Sequence, residues 1–269
     1  MSYHSTRNAS LQADSASAVL EGLAPDGGLY VPKSIPAFDW KACLQGSAME
    51  MATAILSTML PDIPHMGQLV QKAYTGKFAT DELTPTVPVG ALSGLELFHG
   101  PTSAFKDVAL CMLPQLLTAA RDTKGAQKPI LILTATSGDT GKAALEGFHD
   151  VPGIRICVFY PHGGVSQVQR AQMVTQEGNN VTVCAVKGNF DDAQTGVKQI
   201  FAACRDKEMD NRLSSANSIN IGRLAPQIMY YFRSYRDLLD AGRISLGDKV
   251  NFSVPTGNFG DILAGYFAK

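Results

Sequence analysis

The sequence has little charge and no surplus of either sign. Its 269 residues hold 23 Lys and Arg against 24 Asp and Glu, a net charge of −1. Binding along a nucleic-acid backbone rests on neutralising phosphates, so a chain without a basic excess is not built for it. Charged residues make up 17% and hydrophobic residues 45%; soluble domains average roughly 25% charged. That balance excludes disorder and points to a compact, well-buried core. Long apolar runs are missing too. Residues 108–113 form a short run, far below the ~18 a membrane helix needs. The opening residues 1–8 carry no apolar core behind a basic patch, so no secretory signal is expected. The five cysteines, Cys43, Cys111, Cys157, Cys184 and Cys204, are scattered and never spaced C-x-x-C. They are expected to be reduced thiols in a cytoplasmic protein. The histidines are not grouped with them, so no metal site is expected.

Glycine is plentiful, 25 of 269 residues, and its positions matter more than its number. Residues 1–90 read as an accessory region. A turn cluster lies at 24–28, a helix at 48–60 stopped by Pro61 and Pro64, and a proline-bearing connector at 84–88. Strand and helix patterns then alternate. Strands are expected at 92–99, 129–135, 154–160, 181–186 and 250–254. Helices are expected from Ser103, from Lys142, from the 188–190 loop to Cys204, over 222–241, and at the end of the chain. This order predicts an α/β fold with a mostly parallel sheet. Ligands in such sheets bind beyond the carboxyl ends of the strands.

Four loops are placed for chemistry. In the first, Lys106 stands beside an apolar stripe of Phe105, Val108, Ala109, Met112, Leu116 and Leu117, with Thr102 or Ser103 as the expected N-cap. Pro114 should kink this helix. A lysine in the first turn faces the positive end of the helix dipole, so its pKa should fall. A neutral amine suits Schiff-base chemistry; the alternative is a solvated lysine near Asp107. The second loop, 136–141 (TSGDTG), offers glycines, hydroxyls and N–H groups that suit a carboxylate or phosphate. Its alternative is an ordinary capped strand-to-helix loop. The P-loop, G-x-G-x-x-G and G-x-S-x-G patterns are absent. The third feature is a pair of echoing loops, 188–192 (GNFDD) and 257–261 (GNFGD). Asp191 would set a carboxylate against a phosphate, whereas Gly260 lets the backbone approach. The second loop is the better phosphate cradle. For each, the alternative is a plain capped turn.

Read together, LFHGPTSAFKDVAL (97–110), TSGDTG (136–141), GNFDDAQ (188–194), NSINIGRLAPQ (217–227), VPTGNFGD (254–261) and GLAPDGGLYVP (22–32) resemble the threonine synthase family along essentially the whole chain. Cysteine synthase and the tryptophan synthase β subunit surround their lysine differently and usually lack an Asp at the place of Asp139. The resemblance implies an α/β, PLP-dependent fold type II enzyme (tryptophan synthase β-like), with mostly parallel sheets and flanking helices. It implies an accessory region at 1–90, the PLP-enzyme core at 91–245, and at 246–269 the start of a remaining large-domain portion. Family members are longer, so the resemblance also implies that the C-terminal part is missing. A chain without turnover of its own is the alternative that this leaves open.

The implied reaction converts O-phospho-L-homoserine and water to L-threonine and phosphate. Lys106 would be the catalytic lysine that holds pyridoxal 5′-phosphate. Gly257, Asn258, Phe259 and Gly260 would bind the cofactor phosphate, with Asp261 starting the next helix. Ser137, Gly138, Asp139, Thr140 and Gly141 would take the substrate carboxylate. Arg223, with Asn220 nearby, is the candidate for the substrate phosphate; the alternatives are a surface arginine and a capping asparagine. Lys142 and His99 are lesser candidates, against a solvated helix-start lysine and a packing histidine. The aromatic residues at 227–235 are expected in the core. The expected partner is this small-molecule substrate, with no nucleic acid and no membrane.

Overall fold

Four parallel strands carry the elements that matter for function. The computed structural model describes residues 2–204, 207–257 and 259–269. Ahead of the parallel sheet, β1 (Ser2–Ser5) pairs antiparallel with β2 (Gln12–Asp14) and β3 (Tyr30–Pro32). Between them α1 (Ser15–Glu21) starts at Asp14, whose carboxylate accepts the Ser17 N–H at 2.7 Å. It ends at Gly22, whose φ of +73° suits glycine. After α2 (Trp40–Cys43), the capping box of Ser47 and Glu50 opens α3 (Ala48–Met59), which buries Met51, Ile55, Leu56 and Met59. Then comes α4 (Met66–Tyr74). The strand expected at 92–99 is instead half of an antiparallel hairpin, β4 (Thr86–Val89) with β5 (Leu92–Leu95). The physical reason is the tight turn at Gly90, φ +58°, which folds the connector back on the strand.

The long helix α5 (Asp107–Thr123) is buried from Asp107 through Leu117 and packs between α1, α4 and the later helices at Asp139–Phe148 and Ile221–Leu224. In the sheet, β6 (Ile130–Ala135) lies between β7 (Ile154–Pro161) and β9 (Arg212–Ser214), and β8 (Val181–Val186) borders β7. All three pairings are parallel. The crossovers carry α6 (Asp139–Phe148), α7 (Gln167–Val174) and α8 (Phe190–Cys204). The apolar run of β6 is buried because helices cover both faces of the sheet.

The single helix expected at 222–241 is divided. A short α9 (Ile221–Leu224) passes into a 3-10 turn (Ala225–Ile228) and then α10 (Met229–Asp240). Pro226 lies in that turn, where a missing N–H and a fixed φ disturb the α-helical ladder. The strand expected at 250–254 has no ladder partner among the described residues. Phe252 instead packs edge-on to Tyr231, with ring centres 4.9 Å apart. The last element is α11 (Gly260–Ala268). No helix among the described residues is long and apolar enough to cross a membrane. All five cysteines are free thiols.

Candidate active site

Lys106 is the N-cap residue of α5 rather than part of its first turn, and it makes no side-chain cap. Asp107 closes this end of the helix. Its carboxylate accepts the N–H of Thr102 at 2.8 Å and the Thr102 hydroxyl. Burial pushes the Asp107 carboxyl up, against these hydrogen bonds. Gly100 makes room for it, since a Cβ there would lie 2.5 Å from the Asp107 Cβ. Neither Thr102 nor Ser103 caps the helix as expected, because the buried carboxylate has drawn the loop around itself.

The Lys106 side chain is 14% exposed and its Nζ lies 3.9 Å from Asp139 Oδ2. It also stands 5.1 Å from the centre of the Phe105 ring. Burial lowers its pKa, the Arg223 charge lowers it further, and Asp139 opposes both. The direction agrees with the dipole argument, and its largest cause here is desolvation, followed by the Arg223 charge.

The 136–141 loop leaves the carboxyl end of β6. Thr136 organises it from inside. Its Oγ1 accepts the N–H of Gly138 at 2.9 Å and of Gly141 at 2.8 Å, and donates to Gly138 O. Two N–H groups that seemed available to a ligand are therefore engaged. No hydrogen bond among the described residues uses the N–H of Ser137, Asp139 or Thr140, the last two lying at the start of α6. Helix α7 clamps the loop from outside. Gly138 has φ +143°, and a Cβ there would overlap the Gln169 amide; one at Gly141 would press on Thr136 and Met173. Gln169 Nε2 donates to Asp139 Oδ1 at 2.8 Å.

Arg223 is not a surface residue. It is 2% exposed, and among the described residues no carboxylate lies within ion-pair distance. Its Nη1 donates to Ala216 O at 2.5 Å, and its Nε has no partner. Burial lowers its pKa to about 10. Asn220 is committed at both ends of its amide: Nδ2 donates to Val19 O at 2.9 Å and Oδ1 accepts the Gly222 N–H at 2.8 Å, capping α9. The geometry matches the capping alternative.

In the 257–261 loop, Asn258 lies outside the described residues. Gly257 is open, with nothing within 4 Å of an added Cβ. Phe259 is 76% exposed and caps α11, and Gly260 packs on Ser218. The first N–H groups of α11 have no intrahelical acceptor. The Asp261 carboxyl is raised by burial and accepts from Tyr231 Oη at 3.2 Å. Phe259 and Gly260 border a cleft of about 250 Å3 with Asn220, Phe190 and Gln194. It adjoins a second of about 470 Å3 lined by Arg7, Lys198 and Phe201.

The structure thus brings Lys106, Asp139 and Gln169 together at one place and Phe259, Gly260 and Asn220 at another. Lys106 lines neither cleft. Arg223 and Asp261 both act electrostatically on Tyr230, whose hydroxyl donates to Phe105 O. Lys142 pairs with Glu146 at 3.1 Å and with Gln176, and His99 with Glu96 at 2.7 Å. Of the aromatic residues expected in the core, Tyr230 is buried, whereas Tyr231, Phe232 and Tyr235 are half-buried against it. Thr136, Gln169 and Tyr230 were not foreseen. Ser166-x-x-Gln169 signals a capping box, but nothing local signals the contact with Asp139.

Residues 2–74 match the family described as Threonine synthase N terminus. The whole chain is similar to threonine synthase of Schizosaccharomyces pombe, 41% identical over 100% of this chain and 54% of that protein. Human threonine synthase-like 1 is 40% identical over 94% of this chain and 36% of its own length. The crystal structure of PLP-bound threonine synthase from Brucella melitensis matches with a TM-score of 0.86 at 40% identity, covering 100% of this chain and 57% of that one. The chain therefore spans between about a third and a little over half of these relatives. It is related to threonine synthases along its whole length and has the fold of their corresponding part.

Proposed function

We propose that this chain is a PLP-dependent lyase of the threonine synthase type, converting O-phospho-L-homoserine and water to L-threonine and phosphate. The observation that carries this reading is the Lys106 amine, mostly buried, lowered in pKa, and paired only loosely with Asp139 at 3.9 Å, beyond hydrogen-bond distance. The donor set suits an anionic aldehyde cofactor: a reactive amine, an orphaned Nε on a buried arginine, and helix N-termini with open N–H groups. Bound PLP would supply an electron sink for negative charge at the substrate α-carbon.

Lys106 would hold the cofactor through Nζ and would serve as the general base for the substrate α-proton. A lowered pKa keeps more of that amine neutral at working pH. The N–H groups of Ser137, Asp139 and Thr140 would receive the substrate carboxylate, on a loop shaped by Gly138 and Gly141. Gly257, Asn258, Phe259 and Gly260 would receive the cofactor phosphate. Asp261 stands in the first turn of α11 beside them, its carboxyl raised by burial and held by Tyr231. Arg223, a cation with no counter-charge among the described residues, would draw the substrate phosphate, while Asn220 holds the α9 turn that presents it. The division into 1–90, 91–245 and 246–269 belongs to the same proposal. The five free thiols support a reducing, cytoplasmic setting.

Borohydride reduction of the chain with PLP should fix a label on Lys106, found by peptide mapping. With O-phospho-L-homoserine, threonine and phosphate should appear in equal amounts. No label on Lys106 would overturn the cofactor assignment. The competing reading is removal of phosphate from another phosphorylated amino acid. An α-keto acid without threonine would select it.

A further inference from the structure

Gln169 has no part in these assignments, yet through it α7 reaches the lysine. Both ends of its amide are used. Oε1 accepts the Ser166 N–H at 3.1 Å, closing a capping box, and Nε2 donates to Asp139 Oδ1 at 2.8 Å. The amide lies over Gly138, where any Cβ would overlap it, and Met173, one turn on, covers Gly141. One Asp139 oxygen is thereby tied to α7. The other stays 3.9 Å from Lys106 Nζ, about 1 Å beyond a charge-assisted hydrogen bond.

We propose that Gln169 is a positioning residue that keeps the Asp139 carboxylate near Lys106 but out of direct contact, leaving the amine free to react with an aldehyde. The proposal rests on reading Lys106 as the reactive amine. The charged groups that face Lys106 are Asp139 from α6 and Arg223 from α9. Tyr230 of α10 holds the preceding carbonyl, and Asp107 follows in sequence. Asp139 alone favours the ammonium form, and attraction grows as distance shrinks. Releasing Asp139 from Gln169 would let it close on Nζ.

The test is trace acetylation of the full 269-residue chain with acetic anhydride across pH, after hydroxylamine removes any bound aldehyde, with Lys106 read by peptide mass. Gln169→Met should slow acetylation of Lys106 at pH 8 about threefold, the equivalent of roughly half a pH unit. Asp139→Asn should speed it. In the Asp139→Asn background, Gln169→Met should have no effect. Gln169→Glu keeps the capping acceptor but loses the donor, so it serves if the Met variant fails to fold; it too should slow labelling. Unchanged labelling in both Gln169 variants, or equal slowing by Gln169→Met without the Asp139 carboxylate, would overturn the proposal. Because no cofactor is involved, these results stand apart from the borohydride test of the PLP reading.

Discussion

Tyr230 donates its hydroxyl to the carbonyl of Phe105, 125 residues away in sequence and next to Lys106. Burial raises the phenol pKa well above its ordinary value, so the hydroxyl remains a donor. The bond ties α10 to the backbone that presents the lysine. Tyr230→Phe should therefore cost about 1–2 kcal/mol, the penalty for an orphaned carbonyl, measured by urea unfolding. It should also slow trapping of PLP at Lys106. Unchanged stability would mean that the carbonyl finds another donor.

Arg223→Met should raise the Lys106 pKa, because the guanidinium is one of the two causes that lower it. Methionine fills the space without a charge. The pH midpoint of Lys106 acetylation would move upward, and a midpoint that stays or falls would refute the electrostatic link. The same variant should weaken capture of the substrate phosphate, visible as a raised KM for O-phospho-L-homoserine.

Gly147→Ala should destabilise the chain by about 1–3 kcal/mol, as overpacking does. Pro114 cannot donate to Leu110 O, so that carbonyl leaves the α5 ladder. Helix α6 packs on it through Gly147, where a Cβ would overlap the oxygen. Thermal melting compares the two proteins directly. An unchanged Tm would show that the helices separate without cost.

Asp107 gives a pH signature. Its carboxyl is raised from 3.8 by burial, so the folded chain holds this proton more tightly than the unfolded chain does. The contribution is present below 3.8 and is lost as pH rises through the folded value. Relative to Asp107→Asn, the parent protein should lose stability over that window and then run parallel. Urea unfolding at a series of pH values measures the difference, and a flat difference would mean an unshifted carboxyl.

Strands β6, β7 and β8 and helix α8 were legible in the sequence because continuous apolar runs and periodic helices are local signals. The strand β9 was not, because three residues, Arg212–Ser214, carry no period and become a strand only by pairing with β6. The converse holds for 250–254, where an extended pattern finds no partner among the described residues. The fall in the Lys106 pKa was foreseen from the helix dipole; the structure adds burial and Arg223 as causes that no local pattern shows. Asn220 looked like a possible ligand because its type and neighbourhood fit. Its amide is engaged by Val19, 201 residues away.

The sequence by itself determined the α/β order, the low and balanced charge, and the motifs that align this chain with threonine synthases. These follow from residue type and spacing, which need no neighbour in space. Only the tertiary structure decided that Arg223 is buried, which N–H groups Thr136 engages, and how far Asp139 stands from Lys106. Desolvation and Coulomb interaction depend on burial and distance between segments remote in the chain, and neither is written in local sequence.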